Sequence, residues 1–252
     1  NGYIHWPLSS CLHPYRDNAR FAIQPNMFDW YFKQLSLTSI PERDTTWIWE
    51  RYQPEMAAHS LMSQPLDVIK SWYREHLGFS EAVEARGQAL ANKYHLDFDK
   101  TIGLSWRGTD NVTDGRPRLP IDLYYPFIDY ILENDPGLRI MATAEEQHIL
   151  DPLLQRYGSL AFEIQEFVSA PLGGKQNPER YCTRSGFERG MQPALMVWLF
   201  SKCKYYIKNR SSSGAVASWL STGKIFSLAH PETLGYETPP ILHPKTGVQI
   251  WP

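Results

Sequence analysis

The sequence has few cysteines, no long hydrophobic run and almost no excess of either charge. Its three cysteines (Cys11, Cys182 and Cys203) are far apart and form no CxxC pair. Neither a zinc site nor a disulfide framework is therefore predicted. No run of about 18 consecutive apolar residues is present, so no transmembrane helix is predicted. A net charge of −2 argues against a broad nucleic-acid-binding surface, which needs a basic excess.

Common nucleotide-binding and catalytic signatures are also absent. The chain contains no GxxxxGK[ST] loop, no GxGxxG turn and no GxSxG elbow, so the sequence supports neither a P-loop nor a dinucleotide fold. Its eight histidines are scattered without metal-ligand spacing. What remains is an ordinary globular composition: 252 residues, 42% hydrophobic and 21% charged, which suffices for one large or two small domains.

Strands and helices alternate in the second part of the chain. The predicted strands are Thr101–Trp106, Leu138–Ala142, Ala161–Ile164, Tyr205–Lys208 and Lys224–Leu228. The predicted helices are Ile121–Asn134, Glu145–Tyr157, Pro193–Ser201 and Ala215–Leu220. This alternation is typical of an α/β fold, with a parallel sheet covered by helices on both faces.

The first part of the chain is richer in aromatic residues and shows less regular alternation. We predict a short strand at Tyr3–Pro7, a helix between Pro54 and Met62, and helices at Pro65–Leu77 and Glu81–Tyr94, the last capped by Ser80. The change in pattern predicts a domain boundary between residues 97 and 98. The expected units are an N-terminal lobe, 1–97, and a C-terminal lobe, 98–252.

The first candidate site follows the apolar strand that ends at Trp106. Arg107, Gly108, Thr109 and Asp110 come directly after it, and the carboxyl edge of an α/β sheet is where such folds present ligand sites. Arginine can bind a phosphate through two parallel hydrogen bonds. The alternative is a solvated turn in which Arg107 pairs with Asp110.

The second candidate site is the serine run between a strand and a helix in Tyr205–Trp219. Ser211, Ser212 and Ser213 precede Gly214 and the helix, so hydroxyls and backbone N–H groups meet at a helix N-terminus, which attracts anions. The alternative is simple N-capping by serine, which needs no ligand.

Together the two sites resemble those of the GDP-fucose-dependent fucosyltransferases. The resemblance covers residues 96–230 and is strongest to the α1,6-fucosyltransferases of N-glycan cores and rhizobial nodulation factors. The family motif HxRRTDK appears as Ser105–Asn111, and its ATDD strand end appears as Ala142–Glu145. Its LSxADFL strand and following serines appear as Leu199–Ile207 and Ser211–Ser213.

The resemblance implies a glycosyltransferase-B fold of two Rossmann-like lobes, with an N-terminal lobe that is incomplete in this chain. It implies inverting, metal-independent transfer of fucose from GDP-fucose to a glycan acceptor, which the N-terminal lobe would face. The implied donor-binding residues are Arg107, Thr109, Tyr124, Thr143, Glu145, Arg184, Ser211, Ser212 and Ser213. The implied catalytic residues are Asp114 or Asp110 as the base and Arg107 as the group that stabilises the leaving diphosphate.

The chain departs from the family pattern at several positions. Ser105, Gly108 and Asn111 stand where the family has His, Arg and Lys. Met196 stands at the position of the nucleobase-binding acid, and Gly115 at that of the proposed base, next to Asp114. These departures support an alternative function, a non-catalytic nucleotide-sugar or carbohydrate-binding module on the same scaffold.

Two glycosylation sequons bear on the compartment. Asn111-Val-Thr and Asn209-Arg-Ser both lie at the candidate phosphate site, where an attached glycan would block ligand binding. We therefore expect a cytoplasmic location, with a peripheral membrane association or the Golgi lumen as alternatives.

Overall fold

The fold is described by a computed structural model, which covers residues 30–34, 66–108, 119–146, 148–167, 169–170, 183–209, 211–228, 241–242 and 249–250. Its centre is a five-stranded parallel sheet in the order β5–β4–β3–β6–β7. The strands are β3 (Thr101–Trp106), β4 (Arg139–Ala144), β5 (Ala161–Glu163), β6 (Tyr205–Asn209) and β7 (Lys224–Leu228). Two short antiparallel pairs lie outside it: β1 (Phe32–Gln34) with β2 (Leu77–Phe79), and β8 (Ile241–Leu242) with β9 (Gln249–Ile250).

Helices cover both faces of this sheet, which confirms the predicted α/β fold. One face carries α3 (Tyr125–Asn134) and α4 (Asp151–Tyr157). The other carries α2 (Glu81–Lys93), α5 (Gly186–Lys202) and α6 (Ser212–Leu220). A further helix, α1 (Leu66–His76), contacts α6, where Tyr73 and Trp219 stack with ring centroids 4.6 Å apart.

The strand order places a topological switch between β3 and β6. From β3 the chain continues outward through β4 to β5, and then returns to β6 and β7 on the other side of β3. At such a point the connections leave in opposite directions, so a crevice opens outside the carboxyl ends of the two strands. Both candidate sequence sites follow strands that flank this crevice.

The prediction that a helix starts at Glu145 is wrong, because α4 begins only at Asp151. The backbone of Glu145 continues the sheet ladder: its N–H donates to the carbonyl of Trp106 at 3.2 Å, and its carbonyl accepts from Ala170 N at 2.6 Å. Glu145 and Glu146 form an acidic pair of the kind that is common at the start of a helix. Pairing with distant strands prevents a helix from starting there.

The prediction that a helix starts at Pro193 is also wrong. Helix α5 begins at Gly186 and contains Pro193 in its interior. Ser185 caps the helix, with its hydroxyl accepting from Glu188 N at 3.3 Å, and Phe187 is buried on the first turn. A proline inside a helix removes one main-chain hydrogen bond. Burial of the apolar face of α5 stabilises the helix in spite of that loss.

Elements on either side of the predicted boundary pack together. Tyr31 stacks on Phe187 with centroids 5.6 Å apart and donates its hydroxyl to the Phe187 carbonyl at 3.1 Å. Trp198 of α5 donates its indole N–H to Glu84 of α2 at 2.6 Å. The predicted lobes, 1–97 and 98–252, thus share a core in the described part of the chain. The boundary itself stays a prediction.

Some predicted elements lie outside the described residues. These are the strand at Tyr3–Pro7 and the helix between Pro54 and Met62. Among the helices that the structure describes, none has the length and apolar character needed to cross a bilayer.

Candidate functional site

A cavity opens at the carboxyl edge of the sheet, beside the switch between β3 and β6. It encloses about 300 Å³, counted to its open mouth. Its lining combines two charged side chains, serine and tyrosine hydroxyls, and an apolar wall: Ser105, Trp106, Arg107, Glu145, Met196, Val197, Phe200, Tyr206, Ser211 and Ser213. The cavity therefore joins the two candidate sites, which are about a hundred residues apart in sequence.

Arg107 is held in place by the end of β6. Its backbone N–H donates to Asn209 Oδ1 at 3.0 Å, and Asn209 Nδ2 donates back to the Arg107 carbonyl. This reciprocal pair ties the first residue after β3 to the last residue of β6. The Arg107 backbone is thereby fixed at the cavity, while its side chain stays 24% exposed.

Glu145 lies opposite Arg107 and meets two donors of the same loop. Its Oε1 is 3.3 Å from Arg107 Nε, and its Oε2 accepts from Gly108 N at 3.0 Å. The carboxylate is only 15% exposed, so the ion pair is largely withdrawn from solvent. Glu145 thus orients the guanidinium, and it also places a negative charge beside it.

Gly108 is required by the indole ring of Trp106. A Cβ atom at this position would lie 2.0 Å from Trp106 Cη2, far inside van der Waals contact. The ring is itself fixed, because its Nε1 donates to the Leu119 carbonyl at 2.8 Å. An arginine at this position, as in the resembled family, cannot be accommodated without moving that ring.

The opposite wall of the cavity is the N-terminus of α6. Ser211 is the N-cap, and its hydroxyl accepts from Gly214 N at 2.9 Å, so the capping alternative describes a contact that is present. Ser211 and Ser213 also line the cavity. The helix dipole adds partial positive charge at this wall. A serine cap and the partial positive charge of a helix N-terminus are thus both present at this wall.

The floor of the cavity is polar at one point and aromatic around it. Ser105 and Tyr206 share a hydrogen bond of 2.8 Å between their hydroxyls. Phe200 stacks on Tyr206 with centroids 4.8 Å apart. Burial raises the pKa of Tyr206, so its hydroxyl stays protonated and acts as a neutral hydrogen-bonding group.

Three other predicted binding residues do not line this cavity. Tyr124 is fully buried on the other face of the sheet and donates its hydroxyl to the Ser105 carbonyl at 3.3 Å. Thr143 pairs with Ser105 across β3 and β4, and its buried hydroxyl has no hydrogen-bond partner among the described residues. Arg184 is exposed and donates to the Glu166 carbonyl at 3.0 Å.

Three of the four remaining predicted residues fall on undescribed positions. Thr109, Asp110 and Asp114 lie outside the described residues, so their roles stay predictions. Ser212 is the first residue of α6. In the part of the chain that the structure describes, no cluster of three or more His, Cys, Asp or Glu side chains could hold a metal ion.

Asn209 and Tyr206 are two residues of the site that the sequence patterns do not predict. Both lie on β6 just before the serine run, and polar residues in an otherwise apolar strand end are the signal that could have identified them. In the sequence, Asn209 stands out only as the first residue of a glycosylation sequon. In the structure it is 4% exposed and its amide bonds to Arg107, so the folded site leaves no room for a glycan there.

Comparisons with known proteins give no family assignment. No protein-family model matches the chain, and no curated protein matches it. Among solved structures it is similar to NodZ α1,6-fucosyltransferase co-crystallised with GDP, at 15% identity and a TM-score of 0.43, with 64% of this chain and 48% of that chain covered.

Two further structures are similar to the chain. Fucosyltransferase NodZ from Bradyrhizobium aligns at 12% identity and a TM-score of 0.43, over 80% of this chain and 78% of that one. POFUT1 in complex with GDP-fucose aligns at 9% identity and a TM-score of 0.37, over 64% and 48%. The chain thus spans about half the length of the solved chain in two of these three structures. With TM-scores below 0.5, the similarities assign no function to it.

Proposed function

We propose that the chain binds a nucleoside-diphosphate sugar in this cavity and transfers the sugar to a glycan acceptor. The observation that carries the proposal is that Arg107 and the N-terminus of α6 line one cavity at the switch point of a parallel α/β sheet. Nucleotide ligands bind such sheets at this position. A diphosphate is the ligand chemistry that best uses an arginine on one side and a helix N-terminus on the other.

The motif resemblance supports GDP-fucose as the donor and an inverting reaction. In that reaction an acceptor hydroxyl attacks the anomeric carbon, the bond to the diphosphate oxygen breaks, and Asp114 or Asp110 takes the hydroxyl proton. Arg107 and the serine wall stabilise the negative charge that develops on the leaving diphosphate. These groups supply that charge stabilisation without a metal ion.

The binding step is tested by thermal denaturation and calorimetry with GDP, UDP and GDP-fucose. We expect GDP and GDP-fucose to raise the melting temperature by mass action and Arg107→Ala to remove this shift. Arg156→Ala is the matched control, since Arg156 forms an exposed ion pair with Asp129 on the other face of the sheet. Equal GDP affinity in Arg107→Ala and wild type would overturn the proposed site.

A non-catalytic nucleotide-sugar-binding module is the second candidate. It is favoured by Gly108, where the Trp106 ring excludes the second arginine that the resembled family uses. The two candidates differ in turnover: incubation with GDP-fucose and glycan acceptors yields more than one product molecule per protein only for a transferase. Binding without any multiple-turnover product, across acceptor classes, is the outcome expected of a binding module.

A further inference from the structure

Two hydroxyl groups on the floor of the cavity share one hydrogen bond and have one proton left over. Ser105 Oγ and Tyr206 Oη are 2.8 Å apart, and both residues line the cavity. Each hydroxyl carries one O–H donor, so the bond between them uses one of the two protons. Neither oxygen makes a second hydrogen bond within the described part of the chain. One O–H donor of the pair is therefore available to a ligand.

The surroundings of the pair leave the cavity as the place for the missing acceptor. Ser105 is 6% exposed and Tyr206 1% exposed, and the Phe200 ring stacks on that of Tyr206. Burial raises the pKa of Tyr206, so the phenol keeps its proton. A buried donor without an acceptor is unfavourable, because it has lost its hydrogen bond to water. A molecule bound in the cavity can supply the acceptor.

The Tyr206 hydroxyl lies beside the first turn of α6. A Cβ atom built on Gly214 would be 2.6 Å from Ser211 Oγ and 3.3 Å from Tyr206 Oη, so both oxygens border the space that the absent side chain leaves. Ser211 is the N-cap of α6 and lines the same cavity. Tyr206 thus connects the hydroxyl pair to the helix N-terminus. Its phenol is also the stronger donor of the pair, because it is more acidic than an aliphatic alcohol.

The donors around the cavity favour a ligand group that only accepts hydrogen bonds. The N-terminus of α6 contributes partial positive charge, the Arg107 guanidinium has donors only, and the hydroxyl pair adds one more O–H. Glu145 is a lining side chain that only accepts, and it already accepts from Gly108 N and pairs with Arg107. Phosphate oxygens accept without bringing a proton of their own, whereas a sugar hydroxyl brings one. The arrangement therefore fits a phosphate group at the α6 wall.

We propose that Tyr206 donates its hydroxyl proton to a phosphate oxygen of the ligand at the N-terminus of α6, and that Ser105 is a positioning residue that donates to the Tyr206 oxygen. This inference rests on the proposed function, since it assigns two residues to the same site. In the bound state the Ser105 proton is used within the pair and the Tyr206 proton by the phosphate. The floor of the cavity thereby adds a neutral donor to the contacts from Arg107 and from α6.

The test is titration calorimetry of the full chain with GDP and, separately, with inorganic pyrophosphate. Tyr206→Phe keeps the ring that stacks on Phe200 and removes only the hydroxyl, so we expect it to weaken binding of both ligands ~10- to 100-fold, as for loss of a hydrogen bond to a charged group. Tyr205→Phe is the matched control. Tyr205 is the preceding residue of β6, its hydroxyl bonds to Asp135 at 3.0 Å, and it does not line this cavity, so the control should bind both ligands like wild type.

A double-mutant cycle tests the role of Ser105. Ser105→Ala should weaken GDP binding by roughly 3-fold, less than Tyr206→Phe, because the Tyr206 donor remains and loses only the group that orients it. In the Tyr206→Phe background the same substitution should have no further effect, because Ser105 acts through Tyr206. Additive losses would overturn this division of roles. Ser201→Ala is the control, since Ser201 is a buried serine that bonds to the Trp198 carbonyl.

The outcomes separate this inference from the proposed function. If wild type binds neither GDP nor pyrophosphate, the anion site and the role of the hydroxyl pair are both overturned. If Arg107→Ala loses GDP binding while Tyr206→Phe keeps wild-type affinity, the role of the pair is wrong and the proposed site stands. Should Tyr206→Phe fail to fold, Ser105→Ala still decides, because unchanged GDP affinity in that variant overturns the role of the pair.

Discussion

The two faces of the central sheet use the same strands for different purposes. On the α3/α4 face, β3 presents Ile102, Leu104 and Trp106, which are all buried in one apolar core up to the strand end. On the α5/α6 face the same strand presents Gly103, against the ring of Phe200, and then Ser105, hydrogen-bonded to Tyr206. The second face thus changes from apolar to polar toward the carboxyl edge.

This difference follows from the pleat of a strand. Successive side chains point to opposite faces, so one strand can complete a core on one side and form a site floor on the other. The apolar face stabilises the sheet whether or not a ligand is present. The polar face has fewer apolar contacts because it borders a cavity. Substitutions on the apolar face should therefore change mainly stability, and substitutions on the polar face should change mainly binding.

The largest effect is expected on the apolar face. Leu153 of α4 is fully buried in the α3/α4 core, and Leu153→Ala should lower the free energy of unfolding by about 3 kcal/mol through lost burial and a residual cavity. Urea denaturation measures this loss, and Leu160→Ala, at a residue 43% exposed, serves as control. GDP affinity of the folded protein should not change. A matching fall in affinity would mean that the two faces are not separable.

Gly108→Ala should affect stability and binding together. The added methyl group meets the Trp106 ring at 2.0 Å, and overpacking of this kind costs about 2 kcal/mol. Displacement of the ring or the loop also moves Arg107, so GDP binding should be lost. A double-mutant cycle with Trp106→Phe provides the check, because the smaller ring should reduce the cost of the added methyl group. Additive effects would contradict the proposed clash.

Ser211→Ala should lower both the stability and the GDP affinity, each by less than Gly108→Ala does. Loss of the cap to Gly214 N should reduce the free energy of unfolding by about 1 kcal/mol and weaken GDP binding. Ser80→Ala is the matched control, since Ser80 caps α2 through Val83 N and does not line the cavity. The control should lose at least as much stability, because the Ser80 hydroxyl also donates to the Trp30 carbonyl at 2.9 Å, and its GDP affinity should be unchanged. If both variants bind GDP like wild type, Ser211 is a cap and no more.

Glu145→Gln should have the smallest effect and the opposite sign. The amide oxygen can still accept from Gly108 N, while the negative charge beside Arg107 is removed. GDP binding should tighten by less than about 1 kcal/mol, the size of one charge interaction near a solvated cavity. Glu188→Gln, which alters an exposed pair with Arg86, is the control. Weaker binding in Glu145→Gln would show instead that the carboxylate mainly orients Arg107.

Local sequence patterns predicted much of the sheet. The bounds of β3 and β7 agree with the predicted strands Thr101–Trp106 and Lys224–Leu228, because each is a short run that ends at loop-forming residues. The prediction that Ser80 caps a helix is confirmed, and Ser211 shows the N-capping that was the alternative for the serine run. Capping depends on contacts within one turn, so the sequence contains all the information that it needs.

The errors arose where distant segments compete with local preference. Glu145 has the local signature of a helix start, yet its backbone pairs with Trp106 and Ala170. Pro193 looks like a helix start, yet it lies inside α5 because the preceding turns bury Phe187 and Met191. In both cases tertiary contacts outweigh preferences of a fraction of a kcal/mol to a few kcal/mol.

The sequence by itself determined the class of fold and the chemistry available at two strand ends: an arginine after β3 and serines before α6. Only the tertiary structure decided that these groups share one cavity and that Asn209 ties the Arg107 backbone across 102 residues. The physical reason is that neighbours in a parallel sheet come from distant segments of the chain. Side chains at adjacent strand ends meet through register and topology, which no local pattern records.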